Sequence, residues 1–193
     1  MRGDLPLSRM DTGARFWHTA LMSIWGEILA APGVVIRVAV DQEQIVRLAL
    51  GSRQREFLEE LARKHPERVW KRDDLDPLIV ETRRQLEAYF RGELREFQLP
   101  LQLQGTPFQK RVWAALLRIP YGSTRSYGEI ARAIRSPKAA RAVGLANHDN
   151  PVGIIVPCHR VIASDGSLGG YACGLEFKRR LLDLESKAAA PSS

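Results

Sequence analysis

The sequence predicts an α/β unit followed by a mostly α unit, joined near residue 100. Three observations carry this. Two β-branched runs, 34–40 and 44–50, share the first half with two helical patterns. In the second half, helix-capping signatures stand ahead of short apolar-periodic stretches. The charge balance also changes at the join. Residues 1–100 hold 16 basic and 16 acidic side chains, whereas 101–193 hold 13 and 6, which accounts for the whole net charge of +7.

Taken in order, residues 1–24 have weak patterning and read as an N-terminal extension. The two β-branched runs are separated by Asp41-Gln42-Glu43 and read as a strand pair. Residues 53–64 are polar with Phe57, Leu58 and Leu61 on one side, a short helix. Asp76 and Pro77 then supply an N-cap and a first helical residue. Ile79, Thr82, Leu86, Tyr89 and Phe90 form the inward stripe of that helix, and Gly92 stops it. The stretch from Pro100 to Gly105 reads as a linker, so the α/β domain is placed at 25–100 and the second domain at 101–187.

Thr106 and Gln109 have capping-box spacing, and Phe108, Val112, Leu116 and Ile119 follow at helical intervals up to Pro120-Tyr121-Gly122. Ser126 and Glu129 form a second capping box, opening a helix through Ile134. Ser136-Pro137 is expected to open a third, from Pro137 to about Asn147. Two short helices so closely spaced are consistent with a helix-turn-helix, although plain core packing is the commoner reason for such a pair. A last helix spans 175–185, and 188–193 reads as a flexible tail.

Composition excludes several classes. With 45% hydrophobic and 26% charged residues, 193 residues can bury a sizeable core. Two cysteines, Cys158 and Cys173, are too few for a disulfide scaffold or a four-thiolate zinc site. Apolar runs fall far short of the ~20 residues that span a membrane, and no clean signal-peptide core is present. A reducing, cytoplasmic setting fits best. Residues 105–160 carry nine basic side chains against Glu129 and Asp149. From charge alone this is either a polyanion-binding surface or a solubility face.

The chemistry concentrates at Pro157-Cys158-His159-Arg160-Val161. A cysteine beside imidazole and guanidinium is expected to have a lowered pKa and to act as a nucleophile, although most lone cysteines are simply buried. Adjacent side chains diverge, so His159 is expected to reach Cys158 through water rather than directly. A general base needs an orienting partner, and Glu185, three and four residues beyond Leu182 and Leu181, faces partly inward. Upstream, Ala139, Ala140, Ala142, Gly144 and Ala146 make a helix of small residues flanked by Lys138 and Arg141. Side chains suited to reading base edges are scarce there, so DNA binding would be phosphate-driven.

Pro157-Cys158-His159-Arg160-Val161, with Asn150 upstream and Gly170-Tyr171 downstream, resembles the O6-alkylguanine-DNA alkyltransferases. The likeness extends over 105–109, 119–122, Ser126-Tyr127 and 140–144. It implies a ribonuclease-H-like α/β domain and a mostly α domain with a winged-helix-like helix-turn-helix. It also implies a monomer that binds double-stranded DNA through the minor groove and flips O6-alkylguanine, or O4-alkylthymine, out of the stack. Cys158 would accept the alkyl group irreversibly, once per molecule.

On the same resemblance, His159 acts as base through water with Glu185 behind it, and Tyr127 rotates the nucleotide and donates a proton. Asn150 ties the helix-turn-helix to the active-site turn. Arg141 fills the space the base vacates, and Lys138, Ala139, Ala140, Tyr127 and Arg160 contact DNA. Val161, Tyr171, Ala172 and Lys178 wall the pocket. No cofactor and no metal are implied, because the cysteines of zinc-bearing relatives are missing. Cys173 stands in a loop that is glycine-rich in many relatives, where it narrows the pocket or offers a second thiol. A lesion-binding module without transfer and a helix-turn-helix regulator are the alternative readings.

Overall fold

The computed structural model describes residues 21–189. Most of the expected N-terminal extension and tail therefore lies outside the described residues. The first half is a four-stranded sheet, β1 (Leu21–Ala31), β2 (Val34–Asp41), β3 (Gln44–Leu50) and β4 (Arg68–Arg72), in the order β3-β2-β1-β4. The first three strands form an antiparallel meander, and β4 joins β1 in parallel.

Two of these strands were not expected from the sequence. In β1, Gly26, Glu27 and the buried Ser23 interrupt the apolar pattern. Ser23 is buried because its hydroxyl donates to Asp41 at 2.8 Å, and Arg68 closes on the same carboxylate at 2.8 Å. In β4, three of five residues are charged, as suits an edge strand. Leu21–Ile24, assigned to the extension, are the start of β1.

Helix α1 (Gln54–Lys64) covers one face of the sheet, burying Phe57 and Leu61 against Trp25, Ala39 and Val46. Helix α2 (Pro77–Phe90) covers the other. Asp76 caps it, accepting from the Leu78 and Ile79 amides at 2.9 and 3.2 Å. Gly26 lets α2 approach closely: a Cβ there would lie 2.7 Å from Ile79 Cγ2.

The second half holds α3 (Pro107–Leu116), α4 (Tyr127–Ala133), α5 (Ala140–His148), a 3-10 turn (Cys158–Arg160) and α6 (Leu175–Ala189), plus a two-residue parallel pair, β5 (Arg125–Ser126) and β6 (Val161–Ile162). Both expected capping boxes are formed. The start of α5 differs from expectation. Pro137 and Lys138 lie in a turn, with the Ala139 amide donating to Ser136 O at 2.9 Å, and the helix begins at Ala140. Thus Lys138 and Ala139 precede α5 rather than ride on it.

One core runs through both halves. It joins Ile36, Val38, Leu86 and Tyr89 to Val112, Trp113, Leu116, Val143, Val156 and Leu181. The outer strand β3 docks directly on the second half: the Leu48 amide donates to Pro151 O at 2.8 Å, and Arg47 Nη1 reaches the same carbonyl at 2.9 Å. On the same edge, Ile45 donates to Pro100 O at 2.9 Å.

Candidate active site

The segment after α5 sets the position of Cys158. Asn150, 8% exposed, donates from Nδ2 to Val156 O at 2.8 Å and accepts the Val152 amide at 3.1 Å. Its amide thus pins the end of α5 to the turn before the cysteine. Within that turn Ile154 has φ +74°, a left-handed conformation that a β-branched residue adopts only under constraint. Pro157 then leads into the 3-10 turn, where the Arg160 amide bonds Pro157 O at 3.0 Å.

Cys158, 7% exposed, lines a cleft of about 590 Å³ together with Tyr127, Arg141, Gly144, Asn147, Tyr171 and Ala172. Burial pushes its thiol up to about 11, against a hydrogen bond from Asn150 and the positive charge of Lys178. This corrects the expectation of a lowered pKa. The cations beside Cys158 in sequence are directed elsewhere, so they cannot offset its desolvation. Cys173 is exposed and does not line the cleft.

His159 is fully buried and turned toward Glu185, with Nε2 2.8 Å from Oε1. The same carboxylate accepts from Tyr89 Oη at 2.7 Å, from Arg160 Nε and Nη2 at 2.9 Å each, and from the Gly122 amide at 3.1 Å. Burial alone would raise the Glu185 pKa. The hydrogen bonds from His159, Arg160 and Tyr89 outweigh it and hold the carboxyl at about 2. An ionised Glu185 can only accept, so His159 carries its proton on Nε2 and presents a bare Nδ1. That nitrogen is buried without a protein partner. Burial pushes the His159 pKa down while Glu185 pulls it up, and burial prevails. Among the described residues no hydrogen bond joins His159 to Cys158 directly.

Arg160, expected to contact DNA, has its side chain turned inward. It is 6% exposed, paired with Glu185, donates to Ile119 O at 2.6 Å and stacks over Tyr121. Its charge neutralises a buried carboxylate. Tyr89, which the sequence marked only as part of a helix stripe, is a member of this network. A buried phenol requires a hydrogen-bond partner, which is the signal that could have identified it.

Lys178 is fully buried and reaches three backbone carbonyls, that of Val161 in β6 (2.5 Å) and those of Leu168 and Gly170 (3.4 Å) in the loop after it. Burial lowers its pKa to about 8. It therefore supports the pocket wall from behind. Gly169 (φ +64°) lies against Tyr127, where a Cβ would fall 2.9 Å from the phenol oxygen. Val161, expected in the pocket wall, is fully buried in β6 and does not line the cleft. Arg141, Lys138 and His148 are exposed, Ala139 and Ala140 half-buried. His148 and Asn147 line the cleft with Arg141, and neither was singled out in the sequence. No cluster of three or more His, Cys, Asp or Glu side chains is placed to hold a metal among the described residues. No described helix is long and apolar enough to cross a membrane.

This is a protein built around one recessed cysteine that a buried histidine–glutamate pair adjoins. Residues 35–103 match the ribonuclease-like domain of the 6-O-methylguanine DNA methyltransferase family, and residues 107–187 match its DNA-binding domain. The chain belongs to that family. It is 64% identical over 105 residues to a methylated-DNA–protein-cysteine methyltransferase of Methanosarcina acetivorans, spanning 54% of this chain and 67% of that one. It is 65% identical over 108 residues to the protein of that name from Mycobacterium tuberculosis, spanning 56% and 65%. The crystal structure of Mycobacterium tuberculosis OGT in complex with DNA superposes with a TM-score of 0.73 at 46% identity, covering 86% of this chain and 94% of that one. The O6-methylguanine-DNA methyltransferase of Pyrococcus kodakaraensis gives 0.63 at 27% identity, covering 83% and 98%.

Proposed function

We infer that this chain repairs O6-alkylguanine in DNA by moving the alkyl group onto Cys158. The observation that carries the reading is the placement of Cys158 Sγ. Its thiol lines an arginine-bearing cleft, and the neighbouring histidine has a free Nδ1 and a carboxylate on its other nitrogen. The thiol proton passes through water to His159 Nδ1, and Glu185 stabilises the imidazolium that forms. The thiolate attacks the O6-alkyl carbon in line. The S–C bond forms as the C–O6 bond breaks, and the electron pair leaves with the guanine. Tyr127 donates a proton to the guanine ring, and the proton held by His159 completes the exchange. The net change is one alkyl group to sulfur and one proton to guanine. The thioether has no exit, so each molecule acts once.

Helices α4 and α5, with the turn between them, form the DNA-reading pair in this proposal. The small face of α5 approaches the minor groove, and Arg141 occupies the space left by the flipped base. Lys138 and the backbone near Ala139 and Ala140 meet phosphates. The division into a support unit ending near residue 100 and an acceptor unit from 101 to 187 belongs to the same proposal, as does a monomer acting on DNA.

The test is direct. The protein is incubated with a duplex containing O6-methylguanine, and the tryptic peptide spanning 142–160 is weighed. Transfer adds the mass of one methylene to the Cys158 peptide and leaves guanine in the DNA. Tight binding with an unmodified thiol and an intact lesion would sink the reading in favour of a lesion-binding module.

A further inference from the structure

Five exposed arginines of the first half, Arg53, Arg55, Arg72, Arg84 and Arg91, each meet a carboxylate of their own chain, while Arg63 and Arg95 do not. In the second half, among the described residues, the only ion pairs are those of Glu185 with His159 and Arg160. Arg111, Arg118, Arg125 and Arg135 form no ion pair there, although the charge of Arg125 helps to lower the Glu129 pKa. These four line a single groove of about 400 Å³ between α3 and α4.

The groove has an apolar floor. Ile119, Ile130 and Ile134 are 4%, 3% and 9% exposed, with Ala114, Ala115 and Ala133 beside them. Arg111 rides on α3, and Arg118 lies in the turn just beyond its end, its amide bonded to Ala115 O at 3.2 Å. Arg111 is further held over the Phe108 ring, 5.6 Å from its centroid. The one acid in the lining, Glu129, has its carboxylate engaged by the Ser126 amide and hydroxyl at 2.7 and 2.9 Å. No residue of this groove lines the Cys158 cleft.

We propose that the α3–α4 groove docks an acidic peptide segment of a partner protein that carries an apolar side chain. Its carboxylates meet the arginine rim, and its apolar group covers the isoleucine and alanine floor. Charge complementarity selects an anion, and the floor selects the kind. A duplex backbone would satisfy the arginines but brings no apolar group to such a floor. A peptide satisfies both, as interfaces with an apolar centre and a charged rim do.

The probe is a short fluorescein-labelled peptide of aspartates and glutamates ending in Leu-Phe, titrated with the full chain and read by anisotropy. A control peptide ends in Ser-Ser. The Leu-Phe peptide should bind, and the control should bind about tenfold more weakly. Arg111→Glu with Arg118→Glu should weaken the Leu-Phe peptide by about tenfold or more, while alkyl transfer from duplex stays within about twofold. Ala114→Trp, which fills the groove without changing its charge, should also release the peptide. Equal binding of the two peptides, or no effect of either variant, overturns the proposal. So does a parallel loss of duplex affinity in the arginine variant, which would assign the groove to DNA. Retained transfer to Cys158 in the same samples reports that the variants are folded.

Discussion

His159 Nε2 lies 2.8 Å from Glu185 Oε1, and the opposite nitrogen of the ring has no protein partner. The carboxylate fixes which nitrogen is basic. Glu185→Gln leaves a similar shape but can present an amide N–H to Nε2, which shifts the ring proton to Nδ1 and removes the base. Transfer from an O6-methylguanine duplex should fall by about 100-fold, read as single-turnover rate. Stability should fall by about 3 kcal/mol, because Arg160 is left buried without its counter-charge.

Glu185 also gives the fold a pH dependence. Its folded pKa of about 2 lies below the ordinary value of 4.5. A depressed acid contributes stability that is complete above the unfolded pKa and disappears as pH falls through the folded one. Denaturant midpoints should therefore drop between pH 4.5 and about 2, and the Glu185→Gln protein should lose less over that window.

The Cys158 thiol, pushed up to about 11, rests protonated. At neutral pH the thiol form therefore predominates strongly in the absence of substrate. In a Cys173→Ser background, iodoacetamide should therefore modify Cys158 slowly at pH 7. The rate should rise about tenfold per pH unit toward 11. Fast modification at pH 7, with no such slope, would contradict the burial argument.

Gly169 holds φ +64° with Tyr127 against it. Gly169→Ala meets both the left-handed backbone penalty, about 1 kcal/mol, and a contact at 2.9 Å with the phenol oxygen. Tyr127 must move. The single-turnover rate should fall by tenfold or more while duplex affinity, measured by gel shift, changes little.

Two arginines near the site should behave oppositely. Arg141 is exposed on the cleft rim, and Arg160 is sealed against Glu185. Arg141→Ala should keep its thermal midpoint and slow transfer more than it weakens DNA binding. Arg160→Ala should lose about 3–5 kcal/mol of stability by stranding a buried carboxylate, seen as a large drop in the denaturant midpoint.

Local signals in the sequence proved sound where local chemistry decides the structure. Asp76, Thr106 and Ser126 begin their helices because each side chain meets amides two or three residues on, a pairing visible in spacing alone. The inward lean of Glu185 followed from helical periodicity. What escaped depends on contacts distant in sequence. Strand β1 has a polar Ser23 in its buried pattern, explained only by Asp41 and Arg68. Tyr89 joins the site across 70 and 96 residues, to His159 and Glu185. The resemblance puts Arg160 among the DNA contacts, whereas its partner Glu185 lies 25 residues on and is not visible locally. The thiol pKa went wrong for the same reason: neighbours in sequence point away, and burial, which sequence does not display, dominates.

The outer strand β3 is a sheet edge that the chain covers in two places, with Pro100–Gln102 beside Ile45 and with the segment leading to Cys158 beside Leu48. Leu48 bonds Pro151 O, and Leu48 and Val152 pair as an isolated bridge. The opposite edge, β4, protects itself with charge, whereas β3 is Ile-Val-Leu-rich and has no such guard. The acceptor segment is thus also a stopper against self-association. Damage that loosens 151–156, whether a protease nick or a bulky adduct, would uncover an adhesive strand in the same event that ends the chemistry.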